Sequence, residues 1–99
     1  MSQQYPTDVG RIDLLVKDKT RKQFVVIELK KGQTSDDTVG QVARYMGWVK
    51  KRLADGQEVK GVIIAGANDA RLQFALESLP SVELFIYRVS FALTEAERI

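Results

Sequence analysis

The sequence predicts an α/β domain with a mixed sheet, in the order hairpin, helix, strand, helix, strand. Three observations carry that prediction. Two β-rich runs separated by the short polar turn DKTRK come first. Two stretches with helical spacing follow, and between them lies the short, nearly all-apolar run VKGVIIAG. A hairpin followed by helix and strand alternation is the pattern of a sheet with parallel crossovers.

In RIDLLVKD, Ile12, Leu14 and Val16 alternate with Arg11, Asp13, Leu15 and Lys17, the period of a strand. In QFVVIELKK, Phe24, Val26, Glu28 and Lys30 fall on one face and Val25, Ile27 and Leu29 on the other. An antiparallel hairpin turning near Lys19 to Arg21 is the simplest join, with Asp13 opposite either Val26 or Glu28. Thr34, Ser35, Asp36 and Asp37 each suit a helix start, and a helix is expected to about Ala54. Its buried stripe is expected at Val39, Val42, Ala43, Met46, Val49 and Leu53. VKGVIIAG reads as an interior strand covered on both faces. A second helix turns Leu72, Ala75, Leu76 and Leu79 inward, with Asn68 or Asp69 as cap and Pro80 as stop. VELFIYRVSFAL is the last strand, residues 1–9 are a lead-in and residues 94–99 a frayed tail. The first hairpin is apolar on both faces, and nothing before it in the chain covers the second.

Ninety-nine residues, 44% hydrophobic and 28% charged, form one globular domain. No run approaches the roughly 18 apolar residues of a membrane-spanning helix, and MSQQYPTDVG lacks the pattern of a signal peptide, so a cytoplasmic protein is expected. With no Cys and no His, thiolate chemistry, imidazole bases and zinc sites built on those ligands are excluded. Carboxylates, Lys, Tyr, hydroxyls or a metal held by oxygen must do any chemistry. A net charge of +2 permits a polyanionic partner without arguing strongly for one.

Glu28 and Lys30 are charges in the middle of an apolar strand. A solvated edge pair is the plain explanation, and such pairs are worth only about 0 to 1 kcal/mol. The hairpin, however, brings Asp13 to their face, and cross-strand neighbours stand about 4.5 to 5.5 Å apart at Cβ. Two carboxylates at that distance can share a divalent cation, with the main-chain carbonyl of Leu29 as a further oxygen ligand. Hard oxygen ligands favour Mg²⁺ or Mn²⁺. Lys30 is then placed to act on the attacking water or on charge developing at a phosphate. Asp8, in Pro6-Thr7-Asp8, is a rival for the first carboxylate. Asp36 and Asp37 read as caps, and Lys50, Lys51 and Arg52 suit either the negative end of a helix dipole or DNA.

Asp13, then Glu28-Leu29-Lys30, then Gln41 and Tyr45 one helical turn apart, resemble the D…ExK…QxxxY pattern of the PD-(D/E)XK nuclease superfamily. VGRIDLLVKD, VVIELKKGQTSDDTVGQVARYMGWVK and VKGVIIAG resemble the nuclease domain of NucS/EndoMS endonucleases over most of the chain. The resemblance implies a restriction-endonuclease-like fold and a DNA endonuclease dependent on Mg²⁺ or Mn²⁺, acting in DNA repair on mismatched, branched or flapped substrates. It implies Asp13, Glu28, Lys30, Gln41 and Tyr45 as catalytic residues, with Asp13, Glu28 and the Leu29 carbonyl on the metal. It places Arg11, Lys31, Arg44 and Trp48 at the DNA, although Trp48 either stacks on a base or packs inside. Another nuclease of the superfamily, or an idle DNA-binding or dimerisation module of the same fold, is the alternative. The helix that usually opens the superfamily core and the N-terminal domain of NucS-like proteins are missing from this sequence. A homodimer, or a further domain or chain covering the sheet, is therefore expected.

Overall fold

The computed structural model describes residues 4–33, 36–67, 69–88, 90, 92–94 and 96. Its elements are β1 (Tyr5–Thr7), β2 (Gly10–Ile12), β3 (Leu14–Asp18), β4 (Gln23–Gln33), α1 (Asp36–Arg52), β5 (Glu58–Ala67), α2 (Ala70–Glu77) and β6 (Val82–Ile86). Strands β3, β4, β5 and β6 form one sheet in that order. The β3–β4 pair is antiparallel, whereas β4–β5 and β5–β6 are parallel. Strands β1 and β2 form a separate small hairpin.

The expected first strand is broken. Residues 11–18 bend at Asp13, and the part before the bend pairs with Tyr5–Thr7, inside the expected lead-in. A break of one residue reverses which side chains face the core. Ile12 is fully buried and Leu15 packs beside it, while Leu14 and Val16 lie on the opposite face, across from Ile27 and Val25. The 3–4 register puts Leu14 opposite Ile27, which favours Glu28 over Val26 as the neighbour of Asp13.

On β4 the alternation holds: Phe24, Val26 and Glu28 are buried, and Val25, Ile27 and Leu29 are not. Helix α1 covers the buried side with Val39, Val42, Tyr45, Met46 and Val49. Ala43, expected in that stripe, is exposed; Tyr45 takes the inward place. The helix ends at Arg52, two residues before the expected end, and Asp55 and Gly56 reverse the chain with φ of 48° and 85°. Of the expected caps, Thr34 and Ser35 lie outside the described residues, and Asp36 and Asp37 stand within the first turn of the helix rather than before it. Helix α2 is capped by Asp69, whose Oδ1 accepts the Arg71 amide at 2.8 Å, and it buries Leu72. Strand β6 stops at Ile86, short of the expected Leu93, because its pairing with β5 ends at Ala65.

Both crossovers, β4–α1–β5 and β5–α2–β6, step the same way across the sheet. Right-handed connections stepping in one direction put their helices on one face. Helices α1 and α2 accordingly share a core cluster with Ile63, Ala65 and Val82. Strand β5, expected to be covered on both faces, is covered on one: Gly61, Ile63 and Ala65 are buried, and Val62 and Ile64 only half so. The open face carries Leu14, Val16, Val25, Ile27, Leu29, Val62, Ile64 and Phe85, with Leu29 50% and Phe85 53% exposed. Among the described residues no helix is long and apolar enough to cross a membrane.

Candidate active site

The bend at Asp13 creates the site. An aspartate that leaves the ladder frees its own N–H and that of the residue facing it, and both need acceptors. The two carboxylates supply them in exchange. Asp13 N–H donates to Glu28 Oε2 at 2.8 Å, and Leu29 N–H donates to Asp13 Oδ2 at 2.9 Å. Glu28 is thereby fixed to the backbone of Asp13, and Asp13 to that of Leu29, the residue after Glu28. Gln4 Nε2 donates to Asp13 Oδ1 at 3.4 Å, a contact with no signal in the sequence.

Glu28 is 1% exposed. Burial raises its pKa above the ordinary 4.5; the Asp13 amide opposes that, the Asp13 carboxylate adds to it, and Lys30 opposes it least. A carboxylate in that position is short of positive charge. On the same face of β4, half-buried Lys30 donates from Nζ to Gln41 Oε1 at 3.0 Å. Gln41 Nε2 in turn donates to the Tyr45 hydroxyl at 3.4 Å, one helical turn along α1. The five residues therefore form an array of two hydrogen-bonded groups that are neighbours along β4, Asp13 with Glu28 at the β2–β3 bend and Lys30 with Gln41 and Tyr45 of α1.

The donor set fits a hard divalent cation. Two adjacent carboxylates and few other protein ligands suit Mg²⁺, which keeps several waters. Among the described residues no three Asp, Glu, His or Cys side chains gather, so the carboxylate count here is two. A strand residue turns its N–H and C=O to the same edge. Since the Leu29 N–H points at Asp13, its carbonyl lies on the edge that the two acids occupy.

The remaining predicted residues separate. Arg11, Lys31 and Arg44 are exposed, and the Arg44 guanidinium lies 5.5 Å from the centre of the Tyr45 ring. Trp48 takes the packing place: it lies against the Ile12 and Val49 cluster, edge-on to Tyr5 at 6.0 Å, with a buried Nε1 that has no acceptor among the described residues. Asp8 points elsewhere, its carboxylate 3.3 Å from Arg52 Nη2 in an exposed pair. A cleft of about 630 Å³, lined by Met46, Lys50, Gln57 and Lys60, opens at the other end of the sheet, where β5 begins. It holds none of the array, and Glu58 is the one acid among the described residues of its lining.

Fold and site together place the chain in the restriction-endonuclease-like class of α/β proteins. Residues 1–78 match the family described as the Endonuclease NucS C-terminal domain, and the chain belongs to that family. It is 31% identical over 65 residues to Endonuclease NucS of Methanocaldococcus jannaschii. The match takes in 66% of this chain and 24% of that protein, so the chain spans about a quarter of its relative. No solved structure matches.

Proposed function

We propose that this nuclease-family domain is an endonuclease that hydrolyses DNA phosphodiester bonds, with Mg²⁺ or Mn²⁺ held by Asp13, Glu28 and the Leu29 main-chain carbonyl. The observation that carries this reading is the pair of carboxylate–amide bonds, Asp13 N–H to Glu28 and Leu29 N–H to Asp13, with Lys30 two residues after Glu28 in the same strand. It holds two acids rigidly together in a buried place, where an edge ion pair would have no use for it. When bound, the cation supplies an acidified water and a polarised phosphoryl oxygen.

The chain's own residues do the rest. Glu28 and Asp13 are pre-positioned by backbone amides, so no side-chain freedom is lost as substrate arrives. Lys30, steered by Gln41, presents its ammonium beside the acids, where it orients the water or offsets negative charge on the phosphorane-like transition state. Exposed Arg11, Lys31 and Arg44 hold the DNA backbone. Mismatched, branched or flapped DNA is the proposed substrate class, as the resemblance to NucS/EndoMS endonucleases implies. The same reading puts a second copy or a further domain over the open sheet face.

The test is cleavage of labelled mismatched, flapped and plain single-stranded DNA with Mg²⁺ or Mn²⁺, comparing wild type with Glu28→Ala at matched folding. Cutting by wild type that disappears in the variant and in chelator is expected. Salt-sensitive DNA binding by a folded chain that never cuts would instead make it an idle binding module.

A further inference from the structure

Gly10 stands apart from the acids and lysine, at the start of β2, with φ of +129°. What meets it is the far end of the array. A methyl group built on Gly10 would stand 2.5 Å from the Tyr45 hydroxyl oxygen, 3.2 Å from Cε1 and 3.3 Å from Cζ. The first distance is impossible for a real contact, and Tyr45 cannot retreat, since its ring is 2% exposed and packed with Ile12 and Val49. The same hydroxyl is the group to which Gln41 Nε2 donates, and Gln41 Oε1 holds Lys30 Nζ.

We infer that Gly10 is a positioning residue: its missing side chain seats the Tyr45 hydroxyl under Gln41, which in turn aims Lys30 at the acids. The inference rests on the proposed nuclease reading and deepens it, because it extends the working unit to the β1–β2 hairpin. Any side chain at Gly10 pushes the hydroxyl toward Gln41 and turns the amide that holds Lys30. A purely backbone role is the rival account, since φ of +129° strains every L-residue with a side chain. The two differ in one respect. Removing the hydroxyl relieves the 2.5 Å contact, leaving only the 3.2 and 3.3 Å approaches of Cε1 and Cζ, and leaves the backbone strain untouched.

The experiment is therefore a double-mutant cycle of Gly10→Ala and Tyr45→Phe. It is read by single-turnover cleavage at saturating DNA, by thermal melting, and by the side-chain amide resonances of Gln41 in a ¹⁵N correlation spectrum. Gly10→Ala is expected to lower the single-turnover rate about 10- to 100-fold, the usual cost of losing a supporting contact, with little change in the DNA concentration needed for half-saturation. Added to Tyr45→Phe it is expected to cost less than about threefold, non-additivity of the kind that interacting residues show. The Gln41 resonances move in Gly10→Ala and match those of Tyr45→Phe. Equal losses from Gly10→Ala in both backgrounds, or unmoved Gln41 resonances, overturn the inference in favour of backbone strain. If Gly10→Ala fails to fold, recovery of folding in the double variant supports the clash and continued unfolding overturns it. The resonance arm does not depend on cutting. A chain that cuts no DNA yet shows coupled Gln41 shifts defeats the nuclease reading and leaves the placement of Tyr45 by Gly10 standing.

Discussion

Glu28 is the residue on which stability and activity pull apart. Its carboxyl is buried and has its pKa raised, chiefly by desolvation. A raised carboxylate pKa means that the folded chain holds the proton more tightly than the unfolded one. Below about 4.5 the group is neutral in both states and costs nothing. As pH climbs from about 4.5 the unfolded chain ionises first, so the penalty grows until the folded-state pKa is passed and is constant above it. Glu28→Gln keeps an oxygen for the Asp13 amide and never ionises. In chelator it is expected to melt above wild type at pH 7, with the gap closing as pH falls below about 4.5. The same variant is expected to cut DNA at least ~10²-fold more slowly, the scale on which a positioned acid–base group contributes. A melting temperature below wild type at pH 7 would show that the buried charge is stabilised by something the burial account omits.

At the scale of elements, the seam between α1 and β5 is closely packed around Gly61. A methyl on Gly61 would stand 2.7 Å from Met46 Sδ, 2.8 Å from Val42 Cγ1 and 3.2 Å from Val82 Cγ2. Met46 can swing its end away, but Val42 is stiff at χ1 and fully buried. Gly61→Ala is therefore expected to destabilise by about 1 to 3 kcal/mol, the usual cost of overpacking, and to lower the melting temperature by several degrees. Cleavage per folded molecule should be unchanged, since Gly61 lies away from the acids; an unshifted melting curve would mean that the seam is looser than drawn. Elements of this kind were readable in the sequence because period alone defines them, as Phe24, Val26 and Glu28 on β4 show. The nearness of Asp13 to Glu28 was readable from the hairpin, whereas Gln41 and Tyr45 were singled out only by the resemblance to the D…ExK…QxxxY pattern. The bend at Asp13 was not readable, since RIDLLVKD has no Gly or Pro to announce it and the break is held by two long-range carboxylate–amide bonds. Ala43 and Tyr45 exchanged places for a related reason: with both at workable helical spacing, only the position of β2 decides which of them points inward.

At the scale of the whole molecule, the one-sided placement of α1 and α2 decides what each surface can do. It leaves the apolar sheet face open and puts Glu28 and Lys30 on the side that α1 covers. The net charge of +2 is too small to bind DNA by itself, so affinity must come from local cations placed around the site. Lys31 is the cleanest of these to test: it is exposed and directly follows the lysine of the array, whereas Arg44 also covers the Tyr45 ring. A lysine that neutralises one phosphate releases about one counterion, so the slope of log affinity against log salt should fall by about 0.9 on duplex DNA and about 0.7 on single strands when it is lost. Lys31→Ala is expected to show that change, and to weaken binding by a similar factor whatever the base sequence, because a phosphate contact carries no sequence information. Glu28→Gln, measured in chelator on the same DNA, should leave the slope where it was or bind more tightly, having removed a negative charge from the surface that meets the phosphates. An unchanged slope in Lys31→Ala would move the DNA track off this edge of the sheet, toward Arg11 on the hairpin side of the acids.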